Sequence, residues 1–154
     1  MKRILYFLIL ITLPATVEAH QESGNCWVDA GYRYGVSPDL LYGIARVESG
    51  LNPHARETIS GTESVGLMQI NSVWYAQLHR YGIHRDDLWE PCTNINVGAW
   101  VLAHCIGRYG NTWTAIGCYN AGDINRRNAH RKTEQYITYA KKVYAKIYAV
   151  GPTQ

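Results

Sequence analysis

Apolar residues recur at helical spacing in six stretches of the chain, and nowhere do they alternate convincingly at strand spacing. The first predicted helix covers residues 25–34. The second lies within residues 37–50, where Ser37 suits an N-cap, Pro38 the first helical position and Asp39 the first turn, with Gly50 as the stop. A third, capped by Ser72, carries Trp74, Tyr75 and Leu78 and ends at Tyr81-Gly82. A fourth spans residues 93–109 with Ile95, Ala99, Leu102 and Ile106 as its stripe. Asn111-Thr112 caps a short fifth through residues 113–120, which ends at Ala121-Gly122. Thr133 caps a last helix to about residue 149, with Tyr136, Ala140, Val143, Tyr144 and Ile147 on one face. Asp86-Asp87-Leu-Trp-Glu-Pro91 reads as a loop, and the polar stretch 50–66 leaves room for no more than a small β-hairpin within residues 51–70. The pattern predicts a mainly α fold in one domain.

One position breaks the binary pattern. Leu40, Leu41, Ile44 and Val47 form the stripe of the second helix, and Glu48 falls on or beside it. Partial burial and the negative end of the helix dipole both disfavour its charged form, so its pKa should be raised. A carboxyl kept protonated near neutral pH is what a glycosidic oxygen needs from a general acid. The competing reading is a structural glutamate paired with Arg46 or Arg56.

The N-terminus changes the picture of where the fold begins. Residues 1–13 join a basic start to an apolar run, and Val17-Glu18-Ala19 offers a small–x–small cleavage site. The run is shorter than the roughly 20 apolar residues that span a bilayer. It reads as a secretory signal peptide of residues 1–19, leaving 20–154 as the domain. Losing Lys2, Arg3 and Glu18 takes the formal charge from +3 to +2. That mild basicity suits an acidic polymer, and no motif or basic arm argues for nucleic acid.

All four cysteines (Cys26, Cys92, Cys105 and Cys118) lie past the cleavage site, which in an exported chain suggests two disulfides. Cys92 and Cys105 stand at opposite ends of the fourth helix, roughly 20 Å apart, against a bridging limit of about 7 Å. Two pairings survive. Cys26–Cys92 with Cys105–Cys118 is favoured over Cys26–Cys105 with Cys92–Cys118, because it ties the first helix to a helix start and closes a short helical hairpin. Neither the cysteines nor the six scattered histidines show metal-ligand spacing, and no cofactor is called for.

Val65-Gly-Leu-Met-Gln-Ile-Asn71 places a glycine where backbone must approach a ligand or another segment, with Gln69 and Asn71 as neutral hydrogen-bonding groups. Twelve tyrosines and five tryptophans stand against one phenylalanine, an imbalance that suits stacking on sugar rings. Residues 122–132 are polar and basic (Arg126, Arg127, His130, Arg131, Lys132) and read as a solvated loop, with contact to an anionic polymer or a partner protein as the functional alternative.

In order, Glu48-Ser49, Gly66-Leu-Met-Gln-Ile-Asn71, Cys118-Tyr-Asn-Ala-Gly122 and Gln135-Tyr-Ile137 resemble the four motifs of the family 1 lytic transglycosylases. These are lysozyme-like domains, of the goose-type architecture, that cleave bacterial peptidoglycan. The size and the segment 91–100 look closest to the small enzymes accompanying type III secretion, type IV secretion and conjugative pili. The resemblance implies Glu48 as the single catalytic acid/base. Ser49, Gly66, Met68, Gln69, Asn71, Tyr119, Asn120 and Tyr136 are implied to support it or line the substrate cleft. It further implies periplasmic action as a monomer on glycan strands, with a secretion-system or pilus component as partner. Some secretion-associated members carry an additional acid two positions before the glycine of the second motif. Here that position is Ser64, and Glu63, one residue further back, is the candidate second acid. Two other readings share these residues: a hydrolytic goose-type lysozyme, and a catalytically idle wall-binding assembly protein.

Overall fold

The computed structural model describes residues 25–122 and 129–148, and of residues 129–132 the backbone alone. The expected signal peptide and most of the basic stretch lie outside the described residues. Six α-helices and a three-stranded antiparallel sheet are formed: α1 (Cys26–Tyr34), α2 (Pro38–Glu48), β1 (Arg56–Ile59), β2 (Thr62–Val65), β3 (Ile70–Asn71), α3 (Tyr75–His79), α4 (Pro91–Tyr109), α5 (Trp113–Ala121) and α6 (Ala129–Tyr148). None of the described helices is long and apolar enough to cross a membrane.

Side-chain caps start the helices. Asn25, Ser37 and Thr112 accept backbone N–H bonds from Trp27, Leu40 and Ala115, and Glu90 accepts from both Cys92 and Thr93 at the head of α4. Two starts differ from the sequence expectation. Asn71, not Ser72, caps the 3₁₀ turn Ser72–Trp74, because the Ser72 hydroxyl is taken by the Glu63 N–H. The last helix begins at Ala129, a turn before Thr133; nothing in residues 129–132 forbids helical backbone. The expected loop before α4 contains a 3₁₀ turn, Arg85–Trp89.

The core gathers around Leu41, Ile44, Met68, Ile70, Leu88, Leu102 and Val143, all essentially inaccessible. Buried Leu41 and Ile44 put the α2 stripe into this core, and α2 is covered by α6, which also packs against α5. The α4 stripe lies at the centre, contacting α1 on one side and α5 on the other. Burying such a face accounts for most of a short helix's stability.

Disulfides fasten those two flanking contacts. Cys26 joins Cys92 with Cα atoms 5.3 Å apart, and Cys105 joins Cys118 at 5.8 Å. They tie α1 to the head of α4 and α5 to its tail, at sequence separations of 66 and 13. Reducing either should cost about 2–5 kcal/mol. The check is thermal unfolding with and without reductant; an unchanged melting temperature would contradict this.

The sheet extends the expected hairpin by a short third strand, in the order β1-β2-β3. Arg56 to Ile59 pair with Val65 to Thr62. The two connecting residues, Ser60 and Gly61, both have positive φ (50° and 83°), which matches the twist of a tight hairpin. Ser64 and Val65 also pair with Asn71 and Ile70. The sheet edges a cleft whose other walls are the end of α2, the 3₁₀ turn after β3, the tail of α4 and the end of α5.

Candidate active site

Glu48 is the last residue of α2 and opens into a cleft of about 540 Å³. Its carboxyl is half-buried and has no cation partner among the described residues. Arg46 donates to the Lys146 carbonyl, and Arg56 pairs with Glu63, so neither makes the expected structural ion pair. Instead the Tyr139 hydroxyl donates to Glu48 Oε1 at 2.5 Å, and the Asn120 side chain makes a second hydrogen bond.

These contacts oppose one another. Burial raises the Glu48 pKa above the ordinary carboxylate value, the bonds from Tyr139 and Asn120 pull it down, and the negative charge of Glu57 pushes it up again; burial wins. The Tyr139 phenol is itself raised well above its ordinary value by burial and by the facing Glu48, so it stays a donor. Tyr139→Phe should therefore raise the Glu48 pKa further, with little change in packing. Carboxyl-carbon NMR titration checks this, and a downward shift would contradict it.

The second motif forms a folded turn, two residues of which, Gln69 and Asn71, line the same cleft as the acid. Gln69, at a positive φ of 48°, donates through its amide to the Ala55 and Gly66 carbonyls. Asn71 donates to the Ser64 hydroxyl and accepts from the Val73 N–H. The turn is seated on Asn94, which is 1 % exposed and satisfied three times. It accepts from the Met68 N–H at 2.7 Å and donates to the Val65 and Leu88 carbonyls at 3.0 and 2.8 Å. Gly66 has a φ of 78°, and a Cβ there would stand 2.1 Å from the Asn94 amide nitrogen. Its glycine serves contact with another segment rather than with a ligand.

Of the expected site residues, Glu48, Gln69, Asn71, Tyr119 and Asn120 line the cleft. The others act from behind it. Ser49 donates to the Leu67 carbonyl at 2.7 Å, which pins the end of α2 to the second motif. Met68 is fully buried, its side chain against the Gly98 backbone, and its carbonyl accepts from the Tyr119 hydroxyl at 2.7 Å. Tyr136 is buried against Gly117, and its hydroxyl bonds the Gly122 carbonyl. Met68 and Tyr136 thus shape the cleft without lining it.

Glu63 needs correction as a second acid. It is not among the cleft-lining residues; Arg85 holds it at 2.6 Å and Arg56 at 3.5 Å. Successive strand residues face opposite ways. Ser64 lines the cleft, so Glu63 lies on the other face. The acid that does reach the cleft from the sheet is Glu57. Sequence reasoning also missed Tyr139 and Asn94. Tyr139 sits one turn after Tyr136 on the same helical face, and Asn94 is a polar residue beside the apolar stripe of α4. Both signals were readable.

The arrangement is a carboxyl of raised pKa in a cleft walled by amides, a phenol and Trp74. Comparisons with known proteins agree with that chemistry. The family model described as "Transglycosylase SLT domain" matches residues 25–141. The chain is similar to "Invasion protein IagB" of Salmonella typhimurium, 36% identical over 141 residues, covering 90% of this chain and 83% of that one. It is similar to "Protein IpgF" of Shigella flexneri, 32% identical over 147 residues, covering 94% and 90%. Among solved structures it resembles an inactive mutant of lytic transglycosylase Slt from Pseudomonas aeruginosa, with a TM-score of 0.64 and 22% identity. That match covers 80% of this chain and 23% of the other, and it shares the lysozyme-like fold.

Proposed function

The chain belongs to the transglycosylase SLT domain family and is a lytic transglycosylase of peptidoglycan; on that premise we propose that Glu48 alone moves the protons of the reaction. Glu48 gives its proton to the oxygen linking N-acetylmuramic acid to N-acetylglucosamine. The C1–O bond breaks with its electron pair on the leaving oxygen. The muramyl C6 hydroxyl then bonds to C1, and its proton returns to the Glu48 carboxylate. No water is consumed, and the product carries a 1,6-anhydro ring.

The observation that carries this reading is Glu48 itself, a half-buried carboxyl with a raised pKa and two hydrogen-bond donors, opening on a cleft. Its raised pKa shifts it toward what a general acid needs at neutral pH. A nucleophile supplied by the substrate removes the need for the nucleophilic or base carboxylate of two-carboxylate glycosidases. Gln69, Asn71, Tyr119 and Asn120 bind the glycan from the cleft walls, and Ser49, Gly66, Met68 and Tyr136 hold those walls in place.

The same reading makes residues 1–19 an export signal and places residues 20–154 in the periplasm as a monomer. There the enzyme opens local gaps in the wall for a secretion system or pilus. Similarity to a Salmonella invasion protein supports that service. The test is turbidity of purified sacculi: residues 20–154 should clear them. Sacculi that hold the protein yet keep their turbidity would favour an idle wall-binding role.

A further inference from the structure

Glu57 is the acid on the sheet that lacks a structural role. It stands at the centre of β1, the edge strand, all four residues of which are exposed. Among the described residues it makes no ion pair and no side-chain hydrogen bond, whereas Glu63 on the opposite face is held by two arginines. Glutamate is disfavoured in strands, so packing gives no reason for it here. Its ladder partner is Ser64, and directly opposed residues share a face. Glu57, Ile59, Thr62 and Ser64 accordingly line the cleft that Glu48 opens into.

We propose that Glu57 is a second functional carboxylate of this cleft, an ionised group that stabilises the positive charge developing at the sugar C1 while Glu48 delivers the proton. The inference rests on the transglycosylase reading above and adds a residue to it. Glu57 forms no bond and transfers no proton. As the C1–O bond breaks, positive charge spreads over C1 and the ring oxygen, and a carboxylate on the sheet wall of the same cleft lowers the energy of that state. A glycan filling the cleft displaces water and strengthens the attraction. Burial of the free enzyme's Glu57 is therefore not required.

The same charge acts on the acid. The groups around Glu48 are Tyr139 from α6, Asn120 and Tyr119 from α5, and Glu57 from β1, with His104 of α4 lining the same cleft. Of those that shift its proton, Glu57 alone raises the pKa, adding to burial, while Tyr139 and Asn120 lower it. Loss of the Glu57 charge should therefore lower the Glu48 pKa. The alkaline limb of the pH–rate profile, where the acid loses its proton, then moves to lower pH.

The experiment measures turnover of soluble, uncross-linked peptidoglycan glycan strands by residues 20–154 as wild type, Glu57→Gln, and Glu57→Gln with Ser64→Asp. Melting temperatures are recorded alongside. In Glu57→Gln, kcat should fall about ten- to a hundred-fold, with KM within about twofold and the alkaline limb shifted downward. Ser64→Asp restores an acid to the same face from the neighbouring strand, and should recover part of both effects. A Glu57→Gln enzyme with wild-type kcat and profile overturns the proposal. So does a loss of activity that tracks a lost melting temperature and that Ser64→Asp does not repair, because edge-strand protection alone explains that result. A wild type that releases no anhydro product overturns the underlying reading instead, and the inference with it.

Discussion

Glu48→Gln should leave the enzyme folded and reduce turnover of peptidoglycan at least about a thousand-fold. General acid or base catalysis each contributes roughly 10²–10⁴, and in this account one carboxyl serves in both roles. Gln keeps the shape and can still accept from the Tyr139 hydroxyl, so the loss reports the missing proton rather than a collapsed site. Stability should move the other way. The folded-state pKa of Glu48 is raised, chiefly by burial. Between its ordinary and its raised value the folded state keeps a proton that the unfolded chain has released. Stability therefore falls as pH rises through that window and stays lower above it. Gln carries no such cost. Thermal unfolding of the variant should match or exceed wild type at pH 7, with the difference shrinking at pH values below the ordinary glutamate range. Retained activity together with a large loss of stability would remove Glu48 from its proposed role.

Asn94→Leu is expected to give the largest loss of stability of any single polar substitution among the described residues. The leucine fits the volume but removes the partners of three buried backbone groups: the Met68 N–H and the Val65 and Leu88 carbonyls. Each orphaned group costs about 1–3 kcal/mol, so the total is about 4 kcal/mol or more. At roughly 4 °C per kcal/mol, where the ranges for smaller and larger domains meet, the melting temperature should drop by about 15 °C or more. The effect reaches the cleft, because Asn94 seats the turn that carries Gln69 and Asn71 and whose Met68 carbonyl receives Tyr119. Urea unfolding measures it. A midpoint within error of wild type would show that backbone pairing elsewhere holds the turn.

The residues that local physics governs were legible. Ser37, Pro38 and the Leu41/Ile44 stripe specify α2, and the same periodicity that makes the helix sets Glu48 beside its apolar face. The length of α4 was enough to exclude a Cys92–Cys105 bridge, because helix rise is fixed. What the sequence withheld depends on tertiary placement. Which acid faces the cleft turns on hairpin register, and a slip of one residue exchanges the faces. Ser60-Gly61 is a weaker hairpin signal than Asn-Gly, so nothing local pinned that register or chose Glu57 over Glu63. Tyr139 meets Glu48 across 91 residues of sequence, through the packing of α6 on α2. Met68 and Tyr136 sit in motifs that suggest ligand contact, yet the turn and the helix contact consume them as scaffold. A motif marks the neighbourhood of a site; burial decides which of its members reach the substrate.

The account stands most directly on the product. Residues 20–154 and the Glu48→Gln variant would be incubated with purified peptidoglycan, and the released muropeptides weighed by mass spectrometry. The account predicts 1,6-anhydro-muropeptides from the wild type and none from the variant. Products heavier by one water would contradict it, since they mean that a water molecule rather than the muramyl C6 hydroxyl attacks C1.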